Sequence, residues 1–114
     1  MIAFDFKKWN IITGWAVFAV ALCTYWLTVE PTTSFWDASE YITTSSNLEV
    51  GHPPGAPLYQ ILGAFFSIFA FGEVTKIALM VNLMSVFASA FTILFMFWSL
   101  TILLRKIISG AESI

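Results

Sequence analysis

Three long apolar stretches, divided by one polar segment and one short turn, dominate the chain. They occupy residues 9–29, 57–72 and 77–104 and contain 21, 16 and 28 residues without a charge. An α-helix rises about 1.5 Å per residue, so about 20 residues cross the roughly 30 Å hydrocarbon core of a bilayer. The pattern therefore predicts about three transmembrane helices, of which the second is short for a crossing.

The composition agrees with a membrane protein. Of the 114 residues, 59% are hydrophobic and 11% are charged, whereas soluble domains are about 45–50% apolar and about 25% charged. We therefore expect an all-α membrane protein that forms a single membrane unit over residues 1–114. Five scattered Lys and Arg residues give no footprint for nucleic acid. The lone Cys23 excludes an internal disulfide and cannot build a metal site alone, and no metal or cofactor is expected.

Charge is distributed unevenly between the apolar stretches. The polar segment 30–56 contains Glu30, Asp37, Glu40 and Glu49 but no Lys or Arg, whereas lysines precede the first stretch and follow the second. Cytoplasmic loops of membrane proteins are enriched in Lys and Arg. We therefore expect this loop on the non-cytoplasmic side of the membrane, with the inner membrane of a bacterium as the expected location.

Arg105 and Lys106 do not fit three crossings. With the polar loop outside, three crossings would place these two cations outside as well, against the positive-inside rule. Either the short stretch 57–72 is re-entrant, or further spans in a longer native chain override the local bias. We prefer the second explanation.

Within the loop, Ser34 followed by Asp37 three positions later is a helix-start signal. It predicts a short helix over residues 35–47 that lies at the membrane face. Asp37 and Glu40 share one side of this helix, where repulsion is expected to raise one pKa and produce a general base. Acidic residues in a first turn also commonly only stabilise the helix dipole, so both roles stay open. Apolar contact with the interface is expected from Phe35, Trp36, Tyr41 and Ile42.

A stretch rich in proline and glycine, GHPPGAPLY at residues 51–59, follows this helix. It predicts a rigid, non-helical connection, with Pro57 in the first turn of the next helix. His52 is the only histidine and the only group of the loop that can become cationic near neutral pH. A lone histidine is usually a hydrogen-bonded structural residue, but non-helical backbone at membrane depth commonly lines a polar cavity.

Polar and small residues inside the apolar stretches predict helix packing. Asn82, Ser85 and Ser89 share one face of the third predicted helix, and Gly63 with Ser67 forms a small-xxx-small pair on the second. We expect these residues to pack and to hydrogen-bond between helices rather than to contact a substrate.

Two motifs and their spacing carry a family resemblance. They are WDASEYI at residues 36–42 and GHPPGAPLY at residues 51–59, and VNLMS at residues 81–85 extends the match into the third apolar stretch. From about residue 29 to residue 105, the chain resembles the domain-of-unknown-function 2723 family, also called glycosyltransferase family 117. These proteins are multi-pass membrane enzymes similar to protein O-mannosyltransferases, with the GT-C glycosyltransferase architecture.

The resemblance implies transfer of a sugar, mannose in particular, from a polyprenyl-phosphate carrier to a protein hydroxyl on the non-cytoplasmic side. Carried over, Asp37 is the catalytic base and Glu40 the next candidate. His52 either binds the phosphate of the donor or positions the loop. The substrate-binding candidates are Trp36, His52, Pro53, Pro54 and Tyr59. The implied partners are the lipid bilayer, the lipid-linked sugar donor and the protein acceptor.

Members of this family are much longer than 114 residues. The resemblance therefore implies the N-terminal portion of such an enzyme, which is expected to act with the rest of a longer chain or with other membrane subunits and to be inactive alone. Two other classes of function stay open. One is a small non-catalytic membrane subunit that docks a partner through its external loop, and the other is part of a transporter with a discontinuous helix.

Overall fold

The structure, a computed structural model, describes residues 5–111, the last two by their backbone alone. Four α-helices account for most of these residues: α1 (Phe6–Thr28), α2 (Ala38–Asn47), α3 (Pro57–Ser67) and α4 (Val74–Ala111). A 3-10 turn, Ile68–Ala70, extends α3. The described part of the chain contains no strand, which confirms the all-α prediction. Residues 1–4 and 112–114 of the predicted membrane unit lie outside the described residues.

Within residues 5–111, two segments have the length and apolarity of membrane spans, Phe6–Thr28 and Val74–Ser109. Helix α4 contains 38 residues and measures roughly 57 Å, nearly twice the thickness of the hydrocarbon core. The segment predicted as the second span instead combines the 11 residues of α3 with the three-residue turn. Together these measure roughly 22 Å, which is shorter than a crossing.

Local backbone chemistry explains where the helices begin. The carboxylate of Asp5 accepts a hydrogen bond from the backbone N–H of Lys8 at 3.2 Å, so α1 starts three residues before the predicted residue 9. Trp36 has a φ of 63°, which a right-handed helix cannot contain, so α2 starts at residue 38 and not at residue 35. Helix α3 starts at Pro57 as predicted, and α4 extends the predicted stretch 77–104 at both ends.

The chain divides into two compact units. The first comprises Met1–Tyr25 and Ala88–Ile114, of which residues 5–25 and 88–111 are described, and the second comprises Trp26–Phe87. The buried apolar side chains are Ala90 and Leu94 in the first unit and Ile42, Ala70, Val81, Leu83 and Val86 in the second.

In the first unit, α1 and α4 run antiparallel. The rings of Phe18 and Phe91 lie 4.8 Å apart, centroid to centroid. Towards the start of α1 and the end of α4, the guanidinium carbon of Arg105 lies 4.9 Å from the ring centroid of Phe6. Residues earlier in α1 therefore contact residues later in α4, as expected for two antiparallel helices.

In the second unit, α2 packs against α3 through residues with small side chains. Ser45 on α2 is completely buried, and a Cβ placed on Gly63 of α3 would lie 2.7 Å from both Cβ and Oγ of Ser45. The same Cβ would lie 3.6 Å from a methyl carbon of Val81 on α4. The predicted role of Gly63 in helix packing is therefore confirmed. Ser67 donates its hydroxyl hydrogen back to its own helix, to the carbonyl of Ala64 at 2.7 Å.

Candidate functional site

The centre of the candidate site is a pair formed by Glu40 on α2 and His52 in the connection between α2 and α3. The backbone N–H of His52 donates to Oε1 of Glu40 at 2.8 Å. Nδ1 of His52 lies 2.9 Å from Oε1 and 2.8 Å from Oε2 of the same carboxylate. Because twelve residues separate the partners, this pair holds the connection against α2.

The contact shifts the pKa of both groups. Hydrogen bonds from the backbone N–H and then from the ring of His52 stabilise the carboxylate and lower the pKa of Glu40. The hydrogen bond to Glu40 and its negative charge, with a smaller effect from the charge of Asp37, raise the pKa of His52. For Glu40, the expectation of a raised pKa is therefore wrong, because a histidine distant in sequence reaches the carboxylate.

The chain reverses direction after α2 so that His52 can return to Glu40. Leu48 ends the helix with a left-handed backbone conformation at a φ of 55°, and the N–H of Glu49 donates to a carbonyl of the last turn at 2.8 Å. A Cβ on Gly51 would lie 3.0 Å from Oε1 of Glu40. The absence of a side chain at Gly51 therefore lets the carboxylate approach the backbone closely.

Asp37 has different surroundings from Glu40. It occupies the position immediately before α2, and its side chain forms no capping hydrogen bond with the helix. A carboxylate at this position still interacts favourably with the helix dipole, so that role considered from the sequence stays a prediction. Asp37 and the preceding Trp36 are both exposed, the latter to 93%.

The other predicted substrate-binding residues lie in the connection and at the start of α3. Pro53 and Pro54 form an exposed turn that is closed by a hydrogen bond from the N–H of Gly55 to the carbonyl of His52 at 2.9 Å. Tyr59 is half-buried, and its ring lies 5.4 Å from the ring of Tyr41. The structure thus brings His52 into contact with Glu40 and Tyr59 into contact with the adjacent Tyr41, whereas Trp36 is exposed.

Tyr41 is a contact residue that sequence reasoning assigned to the membrane interface. Its ring lies between those of Tyr59 and His52, at 5.4 Å and 6.3 Å between centroids. Ile42, expected at the interface as well, is only 6% exposed and belongs to the core. The assignment of Ile42 is therefore corrected, because its side chain is buried within the second unit. Tyr41 is half-buried, and its place at the interface stays a prediction.

Asn82 of α4 fastens the beginning of the loop. Its Nδ2 donates to the backbone carbonyls of Glu30 at 2.8 Å and Thr32 at 2.9 Å. The carboxylate of Glu30 in turn accepts hydrogen bonds from the N–H and the hydroxyl of Thr32. Asn82 was expected to bond between helices, whereas its partner is loop backbone. The family resemblance of residues 81–85 was the signal that could have marked Asn82 for a role beyond helix packing.

Comparison with known proteins shows which family the chain belongs to. Residues 37–114 match the family described as the protein O-mannosyl-transferase TMEM260 N-terminal domain. The chain is 38% identical over 60 residues to the protein O-mannosyl-transferase TMEM260 of Mus musculus. That alignment covers 52% of the present chain but only 8% of the mouse protein. No solved structure is significantly similar to the chain. The apolar helices and this similarity support a membrane location, and the chain belongs to the TMEM260 N-terminal domain family of protein O-mannosyltransferases.

Proposed function

We propose that this chain is the part of a membrane O-mannosyltransferase that carries the catalytic base, and that Asp37 is this base. The observation that carries the proposal is the contrast between Asp37, immediately before α2, and Glu40 in its first turn. The carboxylate of Glu40 is engaged by His52, whereas that of Asp37 is exposed and forms no capping bond with the helix. Family membership favours this function over a docking subunit.

The proposed reaction is a displacement at the sugar carbon that carries the phosphate. Asp37 accepts the proton of an acceptor hydroxyl while the hydroxyl oxygen forms a bond to this carbon. The bond between the carbon and the phosphate oxygen breaks at the same time, and the electron pair leaves with the lipid phosphate. The donor is a polyprenyl-phosphate sugar, the acceptor is a protein hydroxyl, and the reaction takes place on the non-cytoplasmic side of the membrane.

Glu40 and His52 act together in this proposal. The lowered pKa of Glu40 makes it a weaker base, so it positions His52 instead of accepting the substrate proton. The raised pKa of His52 increases its cationic fraction near neutral pH. With Nδ1 held by Glu40, the N–H at Nε2 is available to a phosphate oxygen, whose charge grows as the sugar departs.

The rest of the catalytic centre is proposed to come from other parts of the full-length protein. The aligned 60 residues of the chain cover 8% of the mouse relative, and a GT-C architecture with many membrane helices would enclose the sugar and the lipid. Trp36, Pro53, Pro54 and Tyr59 are proposed to line the side of this cavity that the chain contributes. The corresponding wider family is the domain-of-unknown-function 2723 family, glycosyltransferase family 117.

The test is the choice of sugar donor. Membranes that contain the full-length protein are supplied with a peptide rich in Ser and Thr and with labelled mannose on either a polyprenyl phosphate or a nucleotide. We expect label on the peptide hydroxyls from the lipid-linked donor, and none from the nucleotide donor when synthesis of the lipid-linked sugar is blocked. Direct transfer from the nucleotide donor, or no transfer from either, would contradict the proposal.

A further inference from the structure

Positive charge gathers at one end of the helix pair in the first unit. Arg105 lies over the ring of Phe6, the first residue of α1. Three further cations are close to these two residues in the chain: Lys7, Lys8 and Lys106. Because α1 and α4 are antiparallel, the start of α1 and the end of α4 form the same end of the pair. Four of the five Lys and Arg residues lie there, so the positive-inside rule assigns this end to the cytoplasm.

Contacts within the second unit concern the other ends of the same two helices. Trp26, near the end of α1, packs edge-on against Phe87 of α4 with ring centroids 6.1 Å apart. Asn82 of α4 binds the backbone that follows α1, at Glu30 and Thr32. The chain therefore leaves α1 beside the first half of α4. A crossing by the intervening α3 would make α1 and α4 cross the membrane in the same direction, whereas the two helices are antiparallel.

Helix α3 has one exposed apolar side. Large side chains that are 43–71% exposed recur every three or four positions along it and its 3-10 extension: Leu58, Ile61, Leu62, Phe65, Ile68 and Phe69. The opposite side packs on α2 and α4 through Gly63. No residue from 57 to 72 is charged. A helix with one apolar side and one side in polar or protein contact is suited to lie in the interface of a bilayer with its apolar side among the acyl chains.

We propose that α3 does not cross the membrane but lies in the non-cytoplasmic leaflet, with its exposed apolar side in lipid. The chain then crosses the membrane twice, through α1 and α4, and residues 29–73 begin and end on the same side. This arrangement removes the conflict that Arg105 and Lys106 pose for three crossings. Lys76, paired with Glu73 at 2.6 Å, is then the single Lys or Arg on the non-cytoplasmic side among the described residues. This proposal replaces the preferred explanation from the sequence, in which further spans of a longer chain account for the position of Arg105 and Lys106.

The crossing number is tested by thiol labelling, which is independent of sugar transfer. Cys23→Ser removes the only native thiol of these 114 residues. Single cysteines are then introduced into this variant, and each protein is labelled in sealed membrane vesicles of known orientation. Thr75→Cys reports the start of α4, Asn47→Cys the end of α2, and Ser109→Cys the end of α4. Val74→Cys, at a 78% exposed position, is the second reporter of the start of α4.

Two crossings predict that an impermeant maleimide labels positions 75 and 47 from the same side and position 109 from the opposite side. Labelling of position 75 should be lost when the reagent is confined to the side of position 109. Three crossings would instead label positions 74 and 75 from the side opposite to position 47, with position 109 labelled from the side of position 47. That result, or labelling of positions 74 and 75 only after detergent is added, would overturn the proposal.

The lipid contact is tested separately with a nitroxide attached to Ile61→Cys. We expect its relaxation to be accelerated by oxygen, which dissolves in lipid, and not by a water-soluble nickel chelate. The same label at Asn47→Cys is the control and should respond to the chelate. Access of the chelate to position 61, or shielding of this position from both reagents by protein, would contradict the location in lipid.

Discussion

At the residue scale, the contact between Glu40 and His52 makes the stability of the loop depend on pH. His52 has a raised pKa, so its contribution to stability is fully present below about pH 6.5 and is lost as the pH rises through the higher folded value. Glu40 has a lowered pKa, so its contribution is present above about pH 4.5 and is lost as the pH falls through the lower folded value. The ion pair therefore exists from below pH 4.5 to above pH 6.5.

Replacement of Glu40→Gln is expected to lower the pKa of His52 towards its ordinary value. The amide cannot supply the negative charge and strong hydrogen bond that favour the imidazolium form. Because His52 is the only histidine in the sequence, its ring proton resonances can be titrated by NMR without ambiguity. Glu49→Gln removes a carboxylate from the same loop and should leave this pKa unchanged. A pKa of His52 that is the same in Glu40→Gln and in the unaltered protein would refute the pairing.

At the element scale, the site is held in place by close contact between α2 and α3. The contact requires a residue without a side chain at Gly63, because Ser45 opposite it is fully buried and cannot move aside. Glu40 lies on α2, and His52 lies in the connection between the two helices. A change in the distance between these helices therefore alters the geometry of the pair.

Gly63→Val is expected to destabilise the protein by about 1–3 kcal/mol, since the added side chain would overlap Ser45 in a packed interface. The measurement is the free energy of unfolding in detergent, with Ala88→Val on the exposed surface of α4 as the control. The control should cost only the difference in helix propensity, about 0.7 kcal/mol or less. Equal destabilisation by the two substitutions would show that α2 and α3 do not pack as described.

At the scale of the whole molecule, the sequence predicted those structural features that depend on residues close together in the chain. The start of α3 at Pro57 and the apolar lengths of α1 and α4 follow from local propensity and hydrophobicity. The pairing of Glu40 with His52 joins residues twelve positions apart, and Arg105 meets Phe6 across almost the entire chain. Such contacts depend on tertiary packing. The positions of charged residues along the sequence therefore did not reveal His52 as the partner of Glu40.

The difference between local and long-range contacts also separates the two carboxylates as candidate bases. Spacing alone placed Asp37 and Glu40 together as two equivalent acids with no basic neighbour. In the structure only Glu40 has acquired a histidine partner, and Asp37 is left at the exposed beginning of α2. The central claim is therefore that removal of the Asp37 carboxylate stops the chemistry while the fold and the Glu40–His52 pair persist.

The most direct measurement of this claim is the rate of mannose transfer from a polyprenyl-phosphate donor by the full-length protein with Asp37→Asn. The amide keeps the shape of the side chain but cannot accept the hydroxyl proton, so we expect the rate to fall by about 10²-fold or more. Membrane insertion and the pKa of His52 should change little, and Glu49→Gln should transfer mannose at the unaltered rate. Transfer by Asp37→Asn at the rate of the Glu49→Gln control would contradict the account.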